Sequence, residues 1–401
     1  MPAPLGSPVI KVRSETPGTT AMDQSPQRQQ YLSKAKRVVL KLGSAVLTAA
    51  DGLNQPLIQR LVGEIGRLSF EDREFILVSS GAIAAGCRKL GLASRPAGIP
   101  QAQAVAAAGQ SVMMHTYELA FAEVGLKAAQ ILLTHDDLES RPRFLNARNT
   151  LFTLLGWQVV PIINENDTVA TDELKFGDND NLAALICNLA GADLLVLLTD
   201  TDGLYDRDPR EHADARLLHQ VESITPGIEQ AAGQRPGALG RGGMVSKLQA
   251  AKKAGAAGLP TLIANGLTPG ILEKIFSAQE VGTLFLPQEQ KLTSRQYWLA
   301  YNVTPKGAIL VDPGARKALV DGHKSLLSPG ILEVFGGFRK GDAVHLMGSD
   351  GKPFAVGLTN YSAREIGQIK GRQSQEIAQS LGHKAYDEVI HRDNLVIFPE
   401  G

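Results

Sequence analysis

The sequence predicts an α/β fold, in which a three-layer αβα sandwich with a mainly parallel central sheet is followed by a small β-rich domain. From residue 37 onward, short apolar runs alternate with segments of helical periodicity, which is typical of a parallel sheet covered by helices on both faces. After residue 287 the pieces are separated by Gly, Pro and Asp turns, as in a small β domain. The length of 401 residues also exceeds one ordinary core, so two domains are expected.

The elements of the first domain follow in chain order. Strand-like runs are RVVLKLG at 37–43, EFILVSSG at 74–81, QILLT at 130–134, WQVVPIIN at 157–164, ADLLVLLTD at 192–200 and LPTLIAN at 259–265. Helices are predicted at 56–68, 82–90, 101–123, 142–155, 181–190 and 244–254. We predict domains at 31–290 and 296–401, and a disordered tail over residues 1–30, which hold five prolines with several Ser and Thr.

Composition excludes several classes of protein. Lys plus Arg and Asp plus Glu both total 41, so no global field favours nucleic acid, acidic lipid or a polyanion. Cys87 and Cys187 are the only cysteines, too few for a disulfide framework and consistent with a reducing compartment. No apolar run is long enough for a membrane helix and no secretion signal is present, so we expect a cytoplasmic protein.

Polar residues mark the carboxyl ends of the predicted strands, where open α/β sheets bind ligands. Lys41 lies in the first strand, SSGAIAAG follows the second, NENDT follows the fourth, and Thr199 and Asp200 end the fifth. An unpaired ammonium in a buried strand would be costly, and a glycine turn before a helix can present backbone N–H groups to an anion. A snorkelling lysine and an ordinary βα turn are the alternatives.

A second Gly-rich stretch, GALGRGGMVSK at 237–247, places Ser246 and Lys247 at the start of a helix. A lysine there opposes the helix dipole, so a bound anion would explain its placement better than helix stability does. The spacing differs from the Walker pattern, and a plain surface loop is the alternative.

Residues 164–181 contain ten acids and carboxamides. A folded state that gathers so many usually supplies cations, hydrogen-bond donors or a substrate amine, although solvated loop acids are the alternative. Two lysines, two Gly-rich loops and these acids suit phosphoryl transfer. A carboxylate acceptor is already ionised and needs no general base, whereas lysines and Mg²⁺ would reduce repulsion between the two anions.

The ordered set KLGSAVL, SSGAIAAG, FLNARNTL, INENDTVA, KFGDNDNLAAL, LLTDTDGLY, GRGGMVSKLQAA and VGTLF resembles the glutamate 5-kinases of the amino acid kinase family over about residues 35–287. The resemblance implies an amino acid kinase-like sandwich and Mg²⁺- and ATP-dependent phosphorylation of the side-chain carboxylate of L-glutamate to L-glutamyl 5-phosphate, the first step of proline synthesis. It further implies inhibition by proline, a homo-oligomer, and functional coupling to glutamyl phosphate reductase.

The resemblance also implies roles for individual residues. Lys41, Lys247 and Asp180 match the catalytic positions, with Asp180 orienting the lysines. Ser80, Asp167 and Asn179 match glutamate-binding positions, and Asn164 and Asp178 fall in the same loop. The nucleotide-binding positions are Lys41, Thr199, Asp200, Arg241, Gly242, Gly243, Met244, Val245, Ser246 and Lys247; no metal-ligating residue is assigned. Arg241 departs from the family, which more often has a small hydroxyl residue there.

The carboxyl-terminal motifs GAILVDPGARKAL, SLLSPGI, FRKGDAVHLM and AVGLTNYSAREI resemble a PUA domain, a fold that contacts RNA elsewhere. Residues 292–401 hold 13 Lys and Arg against 11 Asp and Glu, a net charge of only +2, which gives little support for phosphate-backbone binding. A structural or regulatory role is the preferred interpretation.

Two alternatives stay open. Another amino acid kinase, acting on acetylglutamate, aspartate, carbamate or a nucleoside monophosphate, is disfavoured by INENDTVA together with FGDNDN. An RNA-binding or regulatory module with a vestigial kinase domain is disfavoured because Lys41, Asp180 and Lys247 are all present.

Overall fold

A computed structural model describes residues 26–49, 52–170, 179–232, 243–289, 291–383 and 386–398. The strands of the larger sheet are β1 Arg37–Leu42, β2 Glu74–Ser79, β3 Lys127–Leu133, β4 Val159–Glu165, β5 Leu194–Thr199, β6 Gln220–Val221, β7 Thr261–Asn265 and β8 Thr283–Phe285. Their order across the sheet is β3-β4-β2-β1-β5-β7-β8-β6. All neighbours pair in parallel except β7 and β8, so the predicted mainly parallel sheet is confirmed.

Helices cover both faces of this sheet. They are α1 Gln55–Ser69, α2 Ala82–Lys89, α3 Ile99–Glu123, α4 Arg141–Gly156, α5 Asn179–Ala190, α6 Met244–Ala256 and α7 Ile271–Phe276, with short helices at Ser44–Leu47, His135–Glu139 and Pro226–Ala231. Each of the six predicted helices is present. Among the described residues no helix combines the length and apolarity needed to cross a bilayer.

The alternation of side chains along β1 determines on which face of the sheet Lys41 lies. Leu40 and Leu42 belong to the core beneath α1, α3 and α7, whereas Val39 belongs to the core beneath α4, α5 and α6. Because successive strand residues point to opposite faces, Lys41 lies on the same face as Val39, towards α5 and α6.

Residues 26–30 differ from the predicted tail. Pro26–Arg28 and Gln29–Ser33 are helical, and Arg28 is only 2% exposed. Its guanidinium donates hydrogen bonds of 2.7–3.0 Å to the carbonyl oxygens of His219, Gln279, Val281 and Gly282. The ordered domain therefore begins earlier than the predicted boundary at residue 31, whereas residues 1–25 lie outside the described residues.

The second domain is built on a five-stranded sheet with strands β9 Gly307–Val311, β10 Ile331–Gly336, β11 Ala343–Met347, β12 Pro353–Leu358 and β13 Leu395–Ile397. Their order across the sheet is β10-β9-β11-β12-β13. The helices of this domain are Pro313–Val320, Ala363–Ile369 and Ile377–Leu381. A separate apolar cluster fills it, which confirms the small β-rich domain.

Helix α8, Ser294–Tyr301, joins the two domains. Tyr297 donates to the carbonyl oxygen of Ala184 in α5 at 3.1 Å, and Trp298 donates to that of Leu138 at 3.2 Å. Leu299 packs into a cluster with apolar residues of β11, β12 and β13. The predicted boundary near residue 296 therefore falls inside a helix that contacts both domains.

A close helix crossing supports the carboxyl end of β2. At Gly109 of α3 an added Cβ would lie 1.8 Å from the carbonyl oxygen of Ala82, and at Gly86 of α2 it would lie 1.9 Å from that of Val105. Two glycines thus allow backbone-to-backbone packing where α2 leaves the SSGAIAAG turn.

We predict that Gly109→Ala lowers the free energy of unfolding by about 1–3 kcal/mol or more, because the methyl group meets main-chain atoms that cannot rotate away. Urea unfolding measures this change. In the matched control Gly63→Ala, within α1, the nearest atom is the end of the Arg67 side chain at 3.8 Å, and a gain of about 0.5–1 kcal/mol is expected. A Gly109→Ala protein as stable as wild type would contradict the close crossing.

Candidate active site

Two lysines meet one carboxylate at the carboxyl edge of the sheet. Lys41 Nζ lies 2.5 Å from Asp180 Oδ1, and Lys247 Nζ lies 3.3 Å from Asp180 Oδ2. Asp180 is fully buried and each lysine is 5% exposed. The structure therefore brings together the three residues that the resemblance assigned to catalysis.

The local folds explain this meeting. Lys41 reaches the α5 and α6 face because of its place in β1, while Asp180 and Lys247 lie in the first turns of their helices. A carboxylate is favourable at a helix N-terminus and a lysine is not, so Asp180 compensates for the position of Lys247. The Ser246 hydroxyl donates to Asp180 Oδ2 at 2.7 Å.

The electrostatic surroundings keep Asp180 ionised. Burial alone would raise the pKa of its carboxyl, but the ammonium groups of Lys41 and Lys247, with hydrogen bonds from Lys41 and Ser246, hold that pKa below its ordinary value of 3.8. The carboxylate is thus a permanent counter-charge for the lysines near neutral pH.

The glycine turns after β1 and β2 leave room at this edge. The Gly43 N–H donates to the carbonyl oxygen of Leu198 at 3.1 Å, and a Cβ at Gly43 would lie 3.1 Å from that oxygen and 3.7 Å from Lys41 Nζ. Gly81, at the start of α2, has φ +109°, a conformation that favours glycine. A side chain would therefore crowd the Leu198 carbonyl at Gly43, and a strained backbone disfavours any other residue at Gly81.

Side-chain amides connect β2, β4 and α5. Asn179 Nδ2 lies 3.1 Å from the Ser79 carbonyl oxygen, 3.0 Å from Ser80 Oγ and 3.0 Å from Asn164 Oδ1. Asn164 Nδ2 donates in turn to Gln110 Oε1 at 2.9 Å. Ser80, Asn164 and Asn179 thus form one cluster beside Asp180, as expected for residues of a common site.

Asp167 is half-buried in the turn that follows β4, and Asn164 lies in β4 itself. Asp178 lies outside the described residues, so its expected place beside the site stays a prediction.

Two of the residues expected to bind nucleotide, Thr199 and Asp200, lie at the carboxyl end of β5. Thr199 is buried, Asp200 is exposed, and the Thr199 hydroxyl donates to Asp200 Oδ1 at 3.1 Å. Gly243 immediately precedes α6, Met244 is half-buried and Val245 is exposed. Arg241 and Gly242 lie outside the described residues.

Sequence reasoning missed Gln110. It lies within AQAVAAAGQSVMM, a stretch that reads as an apolar helix face. The available signal was a glutamine seven residues after Gln103, which places the two side chains on one face of α3. It also missed the hydrogen bond of Ser246 with Asp180, since only its neighbour Lys247 carries charge.

Within the described ranges no group of three or more His, Cys, Asp or Glu could hold a metal ion. Mg²⁺ usually binds through one or two carboxylates together with substrate phosphates, so a site that receives Mg²⁺ with a nucleotide does not require such a group.

Comparison with known proteins agrees with this architecture. Residues 36–265 match the model of the amino acid kinase family, and residues 307–381 match that of the PUA domain. The chain belongs to the amino acid kinase family.

Within that family the sequence is similar to proteins named glutamate 5-kinase, which confirms the resemblance seen in the motifs. The relative from Geobacter sulfurreducens is 54% identical, that from Geobacter metallireducens 55% and that from Syntrophus aciditrophicus 50%. Each alignment covers 92% of this chain and, in the same order, 100%, 100% and 96% of the relative.

Among solved structures, an isopentenyl phosphate kinase is 18% identical with a TM-score of 0.44, covering 62% of this chain and 99% of its own. UMP kinase from Ureaplasma parvum is 16% identical with a TM-score of 0.43, covering 63% and 99%. At these values the likenesses add nothing to the family assignment, which rests on sequence.

We predict that Asp180→Asn lowers the free energy of unfolding by about 3–5 kcal/mol at neutral pH, because it removes the carboxylate that two buried ammonium groups share. Urea unfolding of both proteins measures the difference. The control Glu118→Gln, an exposed carboxylate on α3, should stay within about 0.5 kcal/mol of wild type. Equal stability of wild type and Asp180→Asn would contradict the structural role of the ion pairs.

The same pair of proteins tests the pKa of Asp180. Since the folded-state pKa lies below the unfolded-state value, the stabilisation is complete above the ordinary pKa of 3.8 and is lost as pH falls towards the folded-state pKa. The wild-type advantage should therefore be constant near neutral pH and shrink below about pH 5. A gap that widens on acidification would be the opposite of this prediction.

Proposed function

We propose that the chain catalyses ATP-dependent phosphorylation of the side-chain carboxylate of L-glutamate, giving L-glutamyl 5-phosphate in the first step of proline biosynthesis. The observation that carries this proposal is the buried arrangement of Lys41, Asp180 and Lys247 at the carboxyl edge of the sheet, in a chain whose relatives are named glutamate 5-kinase.

The three side chains suit transfer between two anions. Two ammonium groups and one carboxylate give this part of the site a local excess of positive charge. Phosphoryl transfer depends mainly on positioning and on stabilising charge at the transferred group. Lys41 and Lys247 would neutralise the phosphates, while the buried Asp180 holds both ammonium groups in place.

Glutamate would bind beside this trio. Ser80, Asn164 and Asn179 supply hydroxyl and carboxamide groups, and Asp167 supplies a carboxylate for the substrate ammonium. Asp178 belongs to the same proposed pocket. Enclosure among these groups would hold the carboxylate in line with the phosphate and keep water from the mixed anhydride that forms.

ATP would bind at the end of β5, against Thr199 and Asp200, with the stretch 241–247 beside its phosphates. Mg²⁺ would arrive with the nucleotide and supply further charge neutralisation. A homo-oligomer, inhibition by proline and functional coupling to glutamyl phosphate reductase are included in the proposal on the resemblance alone.

For the PUA domain we propose a structural role. The support is α8, which hydrogen-bonds α5 through Tyr297 and packs on the second sheet through Leu299.

The first test is acyl phosphate formation, trapped as a hydroxamate with hydroxylamine in the presence of Mg²⁺ and ATP. Signal is expected with L-glutamate and not with acetylglutamate, aspartate or no acceptor. Signal with another acceptor alone would assign the chain to a different amino acid kinase activity. If folded, ATP-binding protein gives no signal, the vestigial alternative replaces the proposal.

The proposed pocket predicts that Asp167→Asn raises the KM for glutamate about 10- to 100-fold, because a neutral amide replaces a charged partner of the substrate ammonium. The KM for ATP should not change. If proline acts through the same pocket, its half-inhibitory concentration should rise in parallel. Asp72→Asn, an exposed residue at the opposite end of the strands with φ +67°, is the control. An unchanged glutamate KM would remove Asp167 from the pocket.

A further inference from the structure

The amide chain from β2 to α3 has a fixed direction. The Ser79 carbonyl can only accept a hydrogen bond, so Asn179 must turn its NH₂ group towards it. Asn164 must then present its oxygen to Asn179 and its NH₂ group to Gln110. Reversing any one amide would set two acceptors or two donors against each other.

This direction decides how Gln110 is oriented. Its Oε1 is committed to Asn164 at 2.9 Å, so Nε2 is the donor at the free end of the chain. That nitrogen is buried and has no acceptor within the part of the protein that the structure describes. An unpaired buried N–H group is costly, and a ligand atom that accepts a hydrogen bond would remove the cost.

The position of Gln110 indicates which ligand that is. Gln103, on the same face of α3, donates through Nε2 to the carbonyl oxygen of Ala170 at 3.2 Å. Ala170 lies in the turn after β4 that also contains Asp167. This face of α3 therefore lies along the proposed glutamate pocket, and the acceptor that glutamate brings there is a carboxylate.

We propose that Gln110 is a specificity-determining residue, whose Nε2 donates a hydrogen bond to a carboxylate oxygen of the amino acid substrate while Oε1 holds Asn164. The inference rests on the proposed function and deepens it. A neutral donor can bind a substrate carboxylate without competing with the lysines for the phosphates. The same donor discriminates against acceptor substrates that have no carboxylate at this place.

Two substitutions separate the roles of the amide atoms. Gln110→Glu keeps an acceptor for Asn164 but replaces the donor by an anion, so the KM for glutamate should rise about 10- to 100-fold. Gln110→Met removes both polar atoms without adding charge, so its KM should rise less. In both variants the KM for ATP should stay near wild type, whereas the melting temperature of Gln110→Met should fall because Asn164 Nδ2 loses its acceptor. The control Gln101→Glu, exposed in the first turn of α3, should leave both KM values unchanged.

The outcomes are distinct. If the glutamate KM of Gln110→Glu does not exceed that of Gln110→Met, Nε2 does not bind the substrate and the inference is overturned. If Gln110→Met does not fold, the glutamate KM of Gln110→Glu is compared with that of Gln101→Glu, the same substitution at an exposed position. A KM of Gln110→Glu no higher than that of Gln101→Glu would then overturn the inference. Wild-type protein without glutamate-dependent turnover would overturn the proposed function, and this inference with it, before any variant is made.

Discussion

Two buried ammonium groups must share one carboxylate, and the architecture around the carboxyl edge of the sheet follows from that constraint. Lys41 can reach Asp180 only because alternation along β1 places it on the α5 and α6 face. Lys247 can reach it only because α6 begins beside α5. A buried ion pair is weak support for stability by itself, so the three charged groups agree with the role proposed for them in phosphoryl transfer.

The surroundings of this trio are closely packed. The crossing of α2 and α3 at Gly86 and Gly109 leaves no space for a side chain between the two backbones. It fixes α2 directly after Ser80 and holds the face of α3 that carries Gln110. The amide chain then links Gln110 to Asn164 and Asn179 through directional hydrogen bonds. Helix-to-helix packing and the proposed substrate pocket are therefore parts of one arrangement.

Much of this could be predicted from sequence, because periodicity reports which face of an element is buried. The apolar runs identified six strands of the large sheet, and Lys41 was conspicuous as a charge inside one of them. Partners across the sheet were harder to find. That Asp180 serves both lysines was available only through the family resemblance, since residue spacing does not indicate which helix ends meet. Gln110 looked like part of an apolar helix, and Arg28 lay in a stretch whose prolines indicated a tail. In both cases a tertiary contact outweighed the local pattern.

The hydrogen bonds of Arg28 to four carbonyl oxygens constrain the order in which parts of the domain fold. These oxygens lie 191 to 254 residues further along the chain, and the guanidinium is almost fully removed from water once they surround it. A chain made from its amino end carries this arginine for most of the synthesis of the domain before residues 279–282 exist to receive it. Contacts between such distant parts of a chain are slow to form because a long loop must close first. The amino-terminal helix is thus the earliest segment of the described domain to be made and among the last to be secured.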